Sequence, residues 1–108
     1  TLHAVLKGLD TPLIGHCFDC GHFNMFTTVS WDIWFESLGN FIVACHLHDN
    51  HGHADEHLPL GDGLIAFQQL LPLLEREAPK AVWTLEAHSL SNAKRSMTAL
   101  QRYMQGGV

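Results

Sequence analysis

Three short apolar runs dominate this chain, and each ends on side chains that can bind a metal. "TPLIGHCFD" ends in Asp19, with His22 just beyond it in "FDCGHF". "FIVACHLHD" carries His46 at its end, and His48, Asp49, Asp55 and His57 follow. "AVWTLEA" ends around Glu86, with His88 beyond. Strands that are almost continuously apolar are covered on both faces. A sheet of such strands must be wrapped by helices, which points to a parallel α/β architecture.

The sequence between the runs supplies those helices. Leu2, Val5, Leu6 and Leu9 share one helical face, in a helix under way from residue 1 with no cap ahead of it. Trp31, Trp34, Phe35 and Leu38 repeat the spacing, and Gly39 is placed to end that helix. Phe67, Leu70, Leu71 and Leu74 mark a third, which Pro72 should kink or split because it has no N–H. Ala93, Met97, Leu100 and Met104 give a fourth. The order is a helix, then strand–helix three times, with strands at Leu13–Asp19, Phe41–His48 and Ala81–Ala87. No repeat or linker divides residues 1–108, which read as a single domain. Three strands make an incomplete sheet, and its two bare edges invite pairing with another chain. The expectation is the C-terminal part of a larger α/β protein, self-associating through its exposed strand edges.

Composition removes several function classes. The chain is 46% hydrophobic, as a globular domain is. Its formal net charge is −5, with only six Lys and Arg, so no basic stripe is available for a phosphate backbone. Nucleic acid is therefore not an expected partner. No apolar run approaches the roughly 20 residues that cross a bilayer. "TLHAVLKGLD" lacks the pattern of a secretory signal. A cytoplasmic protein without a membrane partner is expected. Cys17 and Cys20 form a lone C-x-x-C among three cysteines, read as two reduced thiols near a strand end.

In a parallel sheet, chemistry gathers at the carboxyl ends of the strands. Alternation sets Ile42, Ala44, His46 and His48 on one face, and Phe41, Val43, Cys45 and Leu47 on the other. Val82, Thr84 and Glu86 oppose Trp83 and Leu85. Gly15, Cys17 and Asp19 oppose Ile14, His16 and Phe18. The large apolar residues suit outer helices, and the small or chemical ones suit an interior. That is the pattern of a barrel with its site at the top. Mixed imidazole and carboxylate ligands suit Mn²⁺, Co²⁺, Zn²⁺ or Mg²⁺. An ion so held can polarise a carbonyl or hydroxyl, and Glu86 is suited to acid or base work. Singly, each residue has a plainer role. Asp19 could cap a turn, His16 could sit in the core, and His48, His51 and His53 could be solvated loop residues. Gly61 and Gly63 read as turn glycines first. The agreement of three strand ends argues for a site.

"FDCGHF", "HLHDN…DEHLPLGDG" and "TLEAH" resemble the last three strand ends of the xylose-isomerase-like TIM barrels, over about residues 10 to 90. That superfamily holds sugar-phosphate isomerases and epimerases, ketose 3-epimerases and endonuclease IV-type apurinic endonucleases. The resemblance implies strands six to eight of a (β/α)₈ barrel, about three βα units. It assigns Asp19, His46 and Glu86 as metal ligands, with Glu86 also exchanging a proton with substrate. His22 would touch substrate in epimerases and metal in the endonucleases, and His48 would line the substrate position. Asp55 and His57 match the Asp-x-His that holds an additional zinc in the endonucleases. The implied activity is a sugar or sugar-phosphate isomerase or epimerase acting through an enediolate. Its ion would be Mn²⁺, Mg²⁺ or Co²⁺, or Zn²⁺ in an endonuclease. A non-catalytic, metal-binding barrel fragment is the third possibility. The family's fifth-strand Glu has no counterpart here. Nor does the Arg that ketose 3-epimerases carry shortly after the seventh-strand His, since "HDNHGH" has none.

Overall fold

A computed structural model describes residues 1–106. Its sheet has three parallel strands: β1 (His16–Asp19), β2 (Ile42–Leu47) and β3 (Val82–Leu85), in spatial order β1-β2-β3. The helices are α1 (Leu2–Leu9), α2 (Cys20–Phe26), α3 (Trp31–Leu38), α4 (Phe67–Glu77) and α5 (Leu90–Met104). The core lies between one face of the sheet and these helices. It gathers Phe18, Phe35, Ile42, Cys45, Leu47, Phe67, Leu70, Leu71 and Leu74. No helix among the described residues is long and apolar enough to cross a membrane.

The βα alternation is as expected from the sequence, but several details differ. Thr1 does cap the first helix, its side chain accepting from the Ala4 N–H. The first strand begins at His16, and Leu13 and Ile14 stand exposed after a Thr-Pro turn. Pro72 does not split α4. Phe67, Leu70, Leu71 and Leu74 are each at most 1% exposed along it. Burying each contributes about 1.5–3 kcal/mol, against about 3 kcal/mol for one helical proline.

Pairing of β1 with β2 slips by one residue between His16 and Cys17, so Val43 is an extra residue in β2. This bulge puts Ile42 and Val43 each on the face opposite to the expected one. Ile42 is buried on the same side as Cys45 and Leu47, while Val43 is half exposed beside Ala44 and His46. Beyond the bulge the expected alternation holds to Leu47, where β2 ends, and His48 departs from it.

Helix α2 was not legible from periodicity. Its seven residues include glycine and histidine, which are weak helix formers. Packing supplies its stability. Phe23 meets the rings of Phe18 and Trp34 at 5.5 and 5.4 Å. The Asp19 side chain accepts from the His22 N–H at 2.9 Å and so caps the helix.

Candidate metal centre

The ends of all three strands converge. Single donor atoms of Asp19, His46 and Glu86 all lie within 4.8 Å of one another. Asp19 and His46 are register partners at the ends of β1 and β2, and Glu86 follows β3, its N–H bonded to Leu47 O. His46 Nδ1 contacts Glu86 Oε1 and lies 3.9 Å from Asp19 Oδ2. Two carboxylates and one imidazole around a common point suit an oxygen- and nitrogen-preferring divalent ion.

A second group lies beside the first. Donor atoms of His48, Asp55 and His57 also fall within 4.8 Å of one another. Asp55 meets His57 Nε2 and His22 Nε2, both at 3.1 Å. His57 Nδ1 reaches Glu86 Oε2 at 3.3 Å and joins the two groups. His57 has φ 53°, a left-handed conformation that is uncommon for a non-glycine residue and is often held at functional positions. His57 also stacks between His48 and His88, at 4.2 and 4.6 Å.

Asp19 holds the arrangement together. Its Oδ1 accepts from the His22 N–H and sits 2.7 Å from His48 Nε2. Burial alone would raise its pKa, but these hydrogen bonds and nearby imidazoles outweigh that and hold it at about 2. An ionised Asp19 only accepts, so His48 Nε2 carries the proton between them. For His48 itself, burial is the largest influence and lowers its pKa. The Asp19 hydrogen bond and the surrounding carboxylates outweigh burial and leave it raised.

Every expected site residue lies in this cluster: Asp19, His22, His46, His48, Asp55, His57 and Glu86. His51 and His53 are exposed, as loop residues are. His48 is not solvated. Its side chain has no exposed surface, so it offers a substrate no face in this structure. All three cysteines are free. Cys20 is buried, which pushes its thiol up to about 12, and it donates to His48 O at 3.2 Å.

Two supports escaped the sequence reading. Gly21 lies against the His48 ring, and a Cβ there would fall inside the ring's van der Waals surface. Gly21→Ala is expected to cost about 1–3 kcal/mol through overpacking, read as a lower urea midpoint; an unchanged midpoint would show that the ring moves freely. Asp49 is fully buried and accepts from four backbone N–H groups, those of Asn50, Gly61, Gly63 and Ile65. The two glycines two residues apart, needing an acceptor, were the available signal.

A parallel βα unit set with carboxylate and imidazole groups at its strand carboxyl ends defines a segment of an α/β barrel bearing a candidate metal site. The xylose isomerase-like TIM barrel family model matches residues 1–105, and the chain belongs to that family. It is 32% identical over 108 residues to an uncharacterized protein of Methanocaldococcus jannaschii, covering 97% of this chain and 36% of that protein. A shorter match, 34% over 53 residues, is to an uncharacterized protein of Sinorhizobium fredii, covering 49% of this chain and 17% of that one. The crystal structure of a D-tagatose 3-epimerase-like protein superposes with a TM-score of 0.82 at 32% identity, covering 96% of this chain and 39% of that one. The chain thus spans little more than a third of the relatives it matches along its whole length.

Proposed function

We propose that this chain is the C-terminal portion of a divalent-metal-dependent sugar isomerase or epimerase. The convergence of Asp19, His46 and Glu86 at three adjacent strand ends carries the reading. Family membership and the epimerase-like neighbour support the reaction class. The residues fit Mn²⁺, Mg²⁺ or Co²⁺. Such an ion supplies Lewis-acid polarisation of a substrate carbonyl. Glu86 would take the proton from the carbon beside that carbonyl, leaving the substrate as an enediolate, and in the reverse direction would give the proton back on the same face. His22, half exposed beside Asp19 and Asp55, is placed to hydrogen-bond a sugar hydroxyl. The proton on the opposite sugar face falls to the fifth-strand Glu of the family pattern. Asp55 and His57 offer a second ion position.

Among the described residues no Lys or Arg pairs with a carboxylate of the cluster; Arg76 and Arg95 pair elsewhere. The acidic balance, with only six Lys and Arg in the chain, weighs against the zinc endonuclease reading. The exposed inner-face residues Val43 and Val82 fit a sheet whose inner face is covered by further barrel strands or a second copy. Three free thiols fit a cytoplasmic location.

Glu86→Gln keeps the shape and removes the base. In the full-length protein, turnover of ketoses is expected to fall by about 10²–10⁴-fold. Undiminished turnover would remove Glu86 from the chemistry, and nicking of abasic DNA instead would select the endonuclease.

A further inference from the structure

Helix α5 carries Lys94, Arg95 and Arg102, half of the chain's six Lys and Arg, and none of its eleven Asp and Glu. A helix face that only meets solvent commonly mixes the two signs, because opposite charges three or four residues apart support it. Here the three cations instead line one groove of about 390 Å³, to which Pro59, Leu60 and Ala99 add apolar surface. Asp62 is the one acidic group lining it, and its Oδ2 accepts from Arg95 Nη2 at 2.6 Å. Lys94 and Arg102 have no carboxylate partner among the described residues.

The wall facing α5 is fastened in place. Buried Ser96 accepts from the Leu60 N–H at 3.3 Å. The buried Asp49 carboxylate accepts from Gly61 and Gly63, on either side of Asp62. The groove is therefore formed ahead of any ligand, and its volume lies in the range of small-molecule sites. Three cations are few for a nucleic-acid backbone, where affinity grows with the number of phosphates neutralised.

We propose that this groove binds a small organic phosphate, its phosphoryl oxygens held by Lys94, Arg95 and Arg102 and its carbon part set against Pro59, Leu60 and Ala99. Arginine presents a planar fork matched to phosphate oxygens, and lysine a mobile point charge. Asp62 holds Arg95 in the free protein and competes with the ligand for it. None of these side chains belongs to the strand-end cluster, so the site stands whatever that cluster does.

Inorganic phosphate and phenyl phosphate are the probes, added to metal-free full-length protein at fixed ionic strength, because salt screens exposed charges. The Arg95 and Arg102 Nε–H signals in ¹H–¹⁵N spectra are expected to move and saturate together. Phenyl phosphate should bind about fivefold more tightly than inorganic phosphate, through the apolar surface it covers. Arg102→Gln changes an exposed side chain and should weaken both about tenfold or more. Asp62→Asn should act the other way and tighten both about two- to fivefold, by freeing Arg95. Shifts that sodium chloride reproduces at the same ionic strength would overturn the site, as would native affinity in Arg102→Gln. Equal binding of the two probes would overturn the organic ligand, and weaker binding in Asp62→Asn would overturn the competition at Arg95. A short DNA duplex that moves the same signals and binds more tightly than phenyl phosphate would overturn the small-molecule assignment.

Discussion

Asp49→Ala is expected to cost this protein about 3–6 kcal/mol and to release the segment from residue 50 to 65. The carboxylate lies fully buried at the end of β2. Oδ1 accepts from Asn50 and Ile65, and Oδ2 from Gly61 and Gly63, at 2.9–3.1 Å. Alanine leaves these donors without an acceptor, and each buried unsatisfied group costs about 1–3 kcal/mol, less where water reaches it. The glycines are matched to this fastening. Gly61 has φ 94°, and a Cβ on Gly63 would overlap the Asn50 carbonyl. Asn50 adds to it, donating to Gly21 O and accepting from Gly52 N. A domain's whole stability is about 5–15 kcal/mol, so the loss is a large fraction of it. Urea unfolding gives the cost, and amide exchange at Gly61, Gly63 and Ile65 gives its location. A loss below about 1 kcal/mol would mean that the segment holds itself. Asp55 and His57 ride on this segment, so the site should loosen with it.

Asp19 separates charge from structure. Asp19→Asn keeps an acceptor for the His22 N–H and for His48, but loses the negative charge. Asp19→Ala loses both. Divalent-ion affinity should fall at least about a hundredfold in each, since a ligand matters no less than the outer partners whose loss costs 10–100-fold. Stability should separate the two. The alanine variant loses the cap of α2, about 1 kcal/mol. It also leaves His48 Nε2 buried and unpaired, a further roughly 1–3 kcal/mol. Mn²⁺ binding followed by electron spin resonance and urea unfolding of both variants read the two effects. Native ion affinity in Asp19→Asn would remove Asp19 from the ligand set.

The strand ends were legible because a period-2 pattern points alternate side chains to one face, and Asp19, His46 and Glu86 are where three such patterns stop. The pattern could not show the bulge at Val43, which depends on pairing with another strand. It also placed His48 on the open face by continuing the alternation past the last paired residue. β2 ends at Leu47, and His48 is fully buried against Asp19 instead. The local penalty of Pro72 does not decide α4, because the buried leucines around it override that penalty. Asp49 was hidden for a different reason. Its partners lie up to sixteen residues away, and their convergence is a property of the folded loop.

If the three strand ends hold an ion at which a sugar's α-proton is exchanged, solvent deuterium enters the sugar there. Incubating ketoses with the Mn²⁺-loaded full-length protein in D₂O, with and without chelator, tests it directly. Deuterium is expected at the carbon beside the carbonyl, lost when the metal is removed and nearly lost in Glu86→Gln. Exchange that survives the chelator, or no exchange in any ketose from a fully loaded protein, would contradict it.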